Sequence, residues 1–92
     1  GNRAAQYAED FHFDLMFFSS AAVSDSGIIT DYSQPETELR RRVFRCADRK
    51  IMLCDSSKFQ KSAAYFVLNA QELNLLITDK APGFEQTKIL VV

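Results

Sequence analysis

The sequence predicts an α/β fold: a parallel, Rossmann-like sheet with helices on both faces. Three observations predict it. Short unbroken apolar runs recur along the chain, among them Leu15-Met16-Phe17-Phe18, Ile51-Met52-Leu53-Cys54 and Leu75-Leu76-Ile77. Strands buried on both faces read this way, whereas strands with one wet face alternate. Strong helix signals separate the first two runs. Two runs also stop in the same way, at Asp55 and at Asp79. In open parallel sheets, ligands bind outside the carboxyl ends of the strands, so polar groups gathered there carry functional weight.

The elements follow in order. In RAAQYAEDF, residues 3–11, Ala4, Tyr7, Ala8 and Phe11 fall at i, i+3, i+4 and i+7, one face of a helix. Asp14 to Ser19 is the first buried strand. Ser24-Asp-Ser-Gly27 is a turn, with Gly27 free to take positive φ. Ile28-Ile29-Thr30 is too short to assign. Ser33-Gln-Pro-Glu36 has the form of a capping box, and Pro35 sits in the first turn, where a missing N–H costs nothing. Leu39, Val43, Cys46 and Ala47 then form an apolar stripe. Glu38, Arg41, Arg42, Arg45 and Asp48 lie opposite it. Lys50–Cys54, Leu73–Thr78 and Lys88–Val92 are the remaining strands, and Tyr65-Phe66-Val67-Leu68 is core.

Composition bounds the function. The 92 residues allow one domain at most, and 47% are apolar, as in a globular chain. A net charge of −1 argues against a bulk polyanion binder. No apolar run approaches the about 20 residues that span a bilayer, and no secretory signal opens the chain. Cys46 and Cys54 have no metal-ligand spacing and read as reduced core residues of a cytoplasmic protein. His12 has no second His or Cys at ligand spacing and reads as structural. No cofactor is indicated. Strand ends deliver Ser19-Ser20, Asp55-Ser56-Ser57-Lys58 and Thr78-Asp79 to one rim.

The order of these features closely resembles the C-terminal sensor domain of DeoR-family bacterial transcription repressors. The resemblance runs from about residue 11 to 80. It rests on Asp14-Leu-Met-Phe-Phe-Ser19, Gly27-x-x-Thr30-Asp31, Glu36-x-Glu38-Leu-Arg-Arg41, Ile51-Met-Leu-Cys-Asp-Ser-Ser-Lys-Phe59 and Leu75-Leu-Ile-Thr-Asp79. It implies a fold similar to ribose-5-phosphate isomerase A, glucosamine-6-phosphate deaminase and CoA transferases. It implies a phosphorylated sugar or related metabolite as effector, and DNA binding only through an N-terminal helix-turn-helix. It also implies a homo-oligomer. Residues 1–92 would be the second half of such a sensor, since the chain holds neither the helix-turn-helix nor the family's upstream Asp-Gly-Gly-Thr-Thr loop. Where the family often has Gly-x-x-Gly after its first strand, this chain has Ser19 and Ala22.

The candidate ligand-binding residues are Lys58, Asp55, Ser57, Glu38, Ser19, Ser20 and Arg40, with no catalytic residue. By resemblance to the isomerase's Asp-x-Ser-Lys segment, Lys58 contacts the substrate or its phosphate; the alternative is a surface lysine in a turn. Asp55 either orients Lys58, or binds a sugar hydroxyl, or caps the segment that follows. Ser56 and Ser57 suit hydroxyl contacts or a local turn. Glu36 has a bland use in the helix cap, which leaves Glu38 as the ligand candidate. Arg40 stands where the family commonly has Lys. Glu36–Arg40 and Glu38–Arg42 are expected i, i+4 pairs. Two other readings stay open. One is a sugar-phosphate isomerase, which the Ser19-Ser20-Ala21-Ala22 loop disfavours because the isomerase has an acidic Asp-Gly-Ala-Asp loop there. The other is an oligomerisation module using the apolar Lys88–Val92 segment.

Overall fold

The computed structural model describes residues 2–8 and 10–92, and the side chains of Asn2, Ala5 and Ala8 lie outside that description. The expectation for Ala8 therefore falls outside the described side chains. Helix α1 (Asn2–Ala8) is followed by strands β1 (Phe13–Phe18), β2 (Ala22–Val23) and β3 (Ile28–Asp31), then helix α2 (Gln34–Cys46) and strand β4 (Ala47–Cys54). A 3₁₀ turn at Ser56–Lys58, strand β5 (Tyr65–Asn69), a second 3₁₀ turn at Ala70–Glu72, and strands β6 (Leu75–Thr78) and β7 (Ile89–Val91) complete the chain. Among the described residues α1 is shorter than its periodicity suggests. Tyr7 and Phe11 remain exposed, their rings in tilted contact at 5.7 Å between centroids.

The parallel sheet is present, in the order β1-β4-β6-β7. Its strands are laid down one after another in a single direction. Crossovers between parallel strands are nearly always right-handed, so a one-way order puts every connection over the same face. The burial agrees. Phe18, Met52, Cys54, Leu76 and Thr78 point to the covered face and are buried. The paired residues of the other face, Phe17, Ile51 and Leu75 in one row and Leu53, Ile77 and Leu90 in the next, have no equivalent cover. Phe17 is 57% exposed and Leu53 46%, against 0% for Met52. Cover on both faces is thus corrected, for the described residues, to cover on one.

That cover has two parts. Helix α2 lays Phe44 against Phe18, ring centroids 4.8 Å apart. Beside it lies an unexpected second sheet, antiparallel, in the order β2-β3-β5. It supplies Val23, Ile29, Val67 and Leu68 to the core. Each such side chain, fully buried, contributes about 1.5–3 kcal/mol. Gly27 makes the β2–β3 turn at φ +83°, and a Cβ there would lie 3.1 Å from the Ala70 side chain. Tyr65 and Phe66, expected in the core, are instead exposed; β5 is an edge strand and only Val67 and Leu68 face inward. In α2 the buried residues are Thr37 and Phe44, while Leu39, Val43 and Cys46 are half-buried. The expected stripe is rotated because α2 packs against β5 and β4 on one side and α1 on another.

Candidate functional site

Register brings the strand ends together. Phe18 pairs with Met52 and Cys54 with Thr78, so Ser19-Ser20, Asp55 and Asp79 leave the sheet at one rim. The segment after the first 3₁₀ turn then folds back along β2: Phe59 bridges Val23, and the Lys61 N–H donates to the Val23 carbonyl at 3.3 Å. The loop at Ser19–Ala21 and the Asp55–Lys58 turn are therefore neighbours.

Asp79 organises the turn from the adjacent strand. The Ser56 N–H donates to Asp79 Oδ1 at 2.6 Å and the Ser56 hydroxyl to Oδ2 at 2.8 Å. These two bonds hold the Asp79 carboxyl below its ordinary range. Asp55 makes no side-chain cap; the cap expected of it comes from Asp79, and its own carboxylate takes the Ser57 hydroxyl. Lys58 is exposed, and its ammonium has no hydrogen bond or ion pair among the described residues. The turn thus presents one unpaired cation beside two hydroxyl-bearing residues. Beneath it, burial and then the Asp55 charge push the Cys54 thiol up to about 11, so Cys54 stays protonated at neutral pH. Cys46 and Cys54 are free thiols.

Ser20 and Arg40 do something different. Both converge on Asp31, which is 8% exposed at the end of β3. The Ser20 hydroxyl lies 2.9 Å from the Thr30 carbonyl and 3.1 Å from Asp31 Oδ2, the Tyr32 N–H donates to Asp31 Oδ1 at 2.7 Å, and Arg40 pairs with Asp31. Burial pushes the Asp31 carboxyl up, but the Tyr32 N–H, the Arg40 guanidinium and the Ser20 hydroxyl outweigh it and hold the group below its usual value. The expected Glu36–Arg40 pair is replaced by this one, and the expected Glu38–Arg42 pair is present at 3.6 Å. Ser19, by contrast, is exposed.

Glu38 does not reach the rim. It faces a recess between α2 and β5. The structure therefore places Lys58, Asp55, Ser57 and Ser19 at the rim, holds Ser20 and Arg40 in a part-buried ion-pair network behind it, and places Glu38 elsewhere. Asp31 and Asp79 organise these groups but were not among the candidate ligand residues, although Thr78-Asp79 was already placed at the rim. Their signal was present, since each follows a Thr at the end of an apolar segment. At the opposite ends of the strands, His12 Nε2 lies 2.9 Å from Asp48 Oδ1, and this hydrogen bond and the Asp48 charge raise the imidazole pKa.

A family model, that of the DeoR C-terminal sensor domain, matches residues 1–80. Among curated relatives, a protein assigned as an aga operon transcriptional repressor in Escherichia coli O157:H7 is 30% identical over 80 residues, 87% of this chain and 30% of its own length. The HTH-type transcriptional regulator GolR of Listeria innocua is 30% identical over 79 residues, 86% of this chain and 31% of its own length. The HTH-type transcriptional repressor CsqR of Escherichia coli K12 is 26% identical over 82 residues, 89% and 31% of the respective lengths. The chain thus spans about 30% of the length of the curated relatives it matches. No helix of the described residues is long and apolar enough to cross a membrane.

Proposed function

The chain belongs to the DeoR C-terminal sensor domain family, and on that footing we propose that it is the effector-sensing part of a cytoplasmic transcription repressor that loosens its hold on DNA when a phosphorylated sugar binds. One observation carries the reading: an exposed Lys58, without a hydrogen bond or ion pair among the described residues, next to Ser57 in the turn after β4 and at the same rim as Ser19. An ammonium is a compact partner for a phosphate, and a carboxylate with serine hydroxyls suits sugar hydroxyls. Lys58 takes the phosphate in this proposal. Asp55, Ser57 and Ser19 take the sugar. Ser20 and Arg40 act at one remove, holding the loop through Asp31.

Connectivity supports the same placement. In doubly wound sheets the chain runs both ways from a central strand, and the ligand crevice opens where the direction switches. The order β1-β4-β6-β7 is one such run, and β1 is its starting edge. In our proposal residues 1–92 form the second half of a sensor domain, and the first half extends the sheet beyond β1 and covers the open face. DNA contacts and the assembly of repressor copies lie in the same larger protein. Signalling is then a population shift, limited by how differently the effector binds the DNA-bound and free states.

The test is operator retention by the full-length protein in the presence of phosphorylated sugars. Release by one of them, lost in Lys58→Ala, is the expected result. Retention against every sugar phosphate, or release that survives Lys58→Ala, contradicts the reading. A ribose 5-phosphate turnover assay runs beside it, and turnover abolished by Glu38→Gln would make the protein an isomerase.

A further inference from the structure

A second cationic recess lies away from the rim, between α2 and the exposed edge strand β5. Its volume is about 630 Å³. Arg41, Arg42 and Arg45 line it, with Glu38 as the one carboxylate among its lining residues. Positions 38, 41, 42 and 45 are i, i+3, i+4 and i+7, so they share one side of the helix. Glu38 lies 3.6 Å from Arg42 and offsets that charge. The Arg41 guanidinium sits 5.6 Å from the centre of the Phe66 ring, which orients it across the recess. Arg45 is exposed and has no hydrogen bond or ion pair among the described residues.

Thr37 is the independent observation. It lines the recess and is 5% exposed, yet among the described residues its Oγ1 has no hydrogen-bond partner. A buried hydroxyl without a partner is costly, and a helical threonine can usually bond the carbonyl one turn back. An acceptor in the recess would satisfy it once the Thr37 side chain turns toward that acceptor.

We propose that this recess binds a phosphate group, with Arg41 and Arg45 as charge partners and the Thr37 hydroxyl as neutral donor. A tetrahedral anion offers oxygens on several sides. It can take guanidinium N–H groups from the helix surface and a hydroxyl from the floor together, which a planar carboxylate does less well. A smaller recess of about 260 Å³ adjoins it, shares Arg41 and Arg45, and adds Lys50 and Glu72, leaving room for the rest of a phosphate-bearing metabolite. Lys58 takes no part, so this site is separate from the rim site and stands or falls independently of it.

The test is a titration of the full chain with inorganic phosphate in low-salt buffer, followed through backbone and arginine N–H resonances. A parallel titration uses malonate. Saturable shifts over residues 37–45 and 65–66 are expected. Arg41→Gln with Arg45→Gln should weaken phosphate binding at least about tenfold. Thr37→Val, close in shape, should weaken it while the fold is retained. Shifts that never saturate, an unaffected arginine double variant, or an unaffected Thr37→Val would overturn the proposal. Malonate binding as tightly as phosphate would overturn the assignment to phosphate. Should Thr37→Val fail to fold, the surface arginine pair alone decides.

Discussion

The two faces of the parallel sheet are built from the same strands and nearly the same residue types, yet they differ completely in environment. Met52 on one face has no exposed surface; Leu53, its chain neighbour on the other, is 46% exposed. Both sit in the run that marks β4 as a doubly buried strand. Composition therefore reports that each face needs cover, and connectivity decides which face gets it. Here α2 and the β2-β3-β5 sheet both fall on one side, because the strands are added in one direction. The open face holds Phe17, Ile51, Leu53, Ile77 and Leu90 side by side, a patch of the kind that marks an interaction surface.

Substitutions can break or sharpen that contrast. The largest effect is expected at Met52→Ala, which should cost about 2–5 kcal/mol by leaving a cavity under Phe18 and Leu76. Leu53→Ala should cost less than about 1 kcal/mol in the same urea unfolding experiment, since the leucine is already half in water. Equal losses would mean that the open face is covered, by a second copy for instance.

Next in size is Asp31→Asn, which removes the charge that Arg40, the Tyr32 N–H and Ser20 all address. A loss of about 1–3 kcal/mol is expected at neutral pH. The Asp31 carboxyl is held below 3.8 in the folded chain, so the unfolded chain binds more protons around that pH. The stabilisation is present above the ordinary aspartate pKa and is lost as pH falls through the folded one. Unfolding curves taken from about pH 6 to about pH 3 should show wild type and Asp31→Asn converging at the acid end. A constant gap would contradict the ion-pair network.

The smallest effect lies at the far end of the strands. The His12 imidazole is raised above 6.5, so its pairing with Asp48 favours folding at lower pH and fades as pH rises through the folded value. Both groups are exposed, and solvent screens them. In Asp48→Asn, an NMR titration should show the His12 pKa falling back toward 6.5 with no visible change in melting temperature. An unchanged His12 pKa would mean the contact does not persist in solution.

How far the sequence reaches differs between these regions. Strand ends were readable because an apolar run that stops at Asp55 or Asp79 changes character within one residue. The α2 start was readable from Ser33, whose hydroxyl accepts the Glu36 N–H at 3.4 Å, and from Pro35 in the first turn. Gly27 announced its turn. The antiparallel sheet was not readable, because β2 has two residues and β3 four, too few for a period to declare itself. A capping box at Asn69 and Glu72 was missed although its Asn-x-x-Glu spacing stood in the sequence. At the site, Lys58, Asp55 and Ser57 could be placed because they are contiguous. Arg40 and Glu38 could not, since two positions along a helix turn a side chain by about 200° and send one to Asp31 and the other to the α2–β5 recess.

The most direct measurement is a thermal-shift screen of the full-length protein against phosphorylated sugars, with Lys58→Ala alongside. A ligand at 100 times its dissociation constant stabilises the folded state by about 2.7 kcal/mol, a rise of several degrees for a domain of this class. A rise with one sugar phosphate that disappears in Lys58→Ala is the predicted result. No rise with any sugar phosphate, or a rise that Lys58→Ala leaves intact, would contradict phosphate sensing at the strand ends.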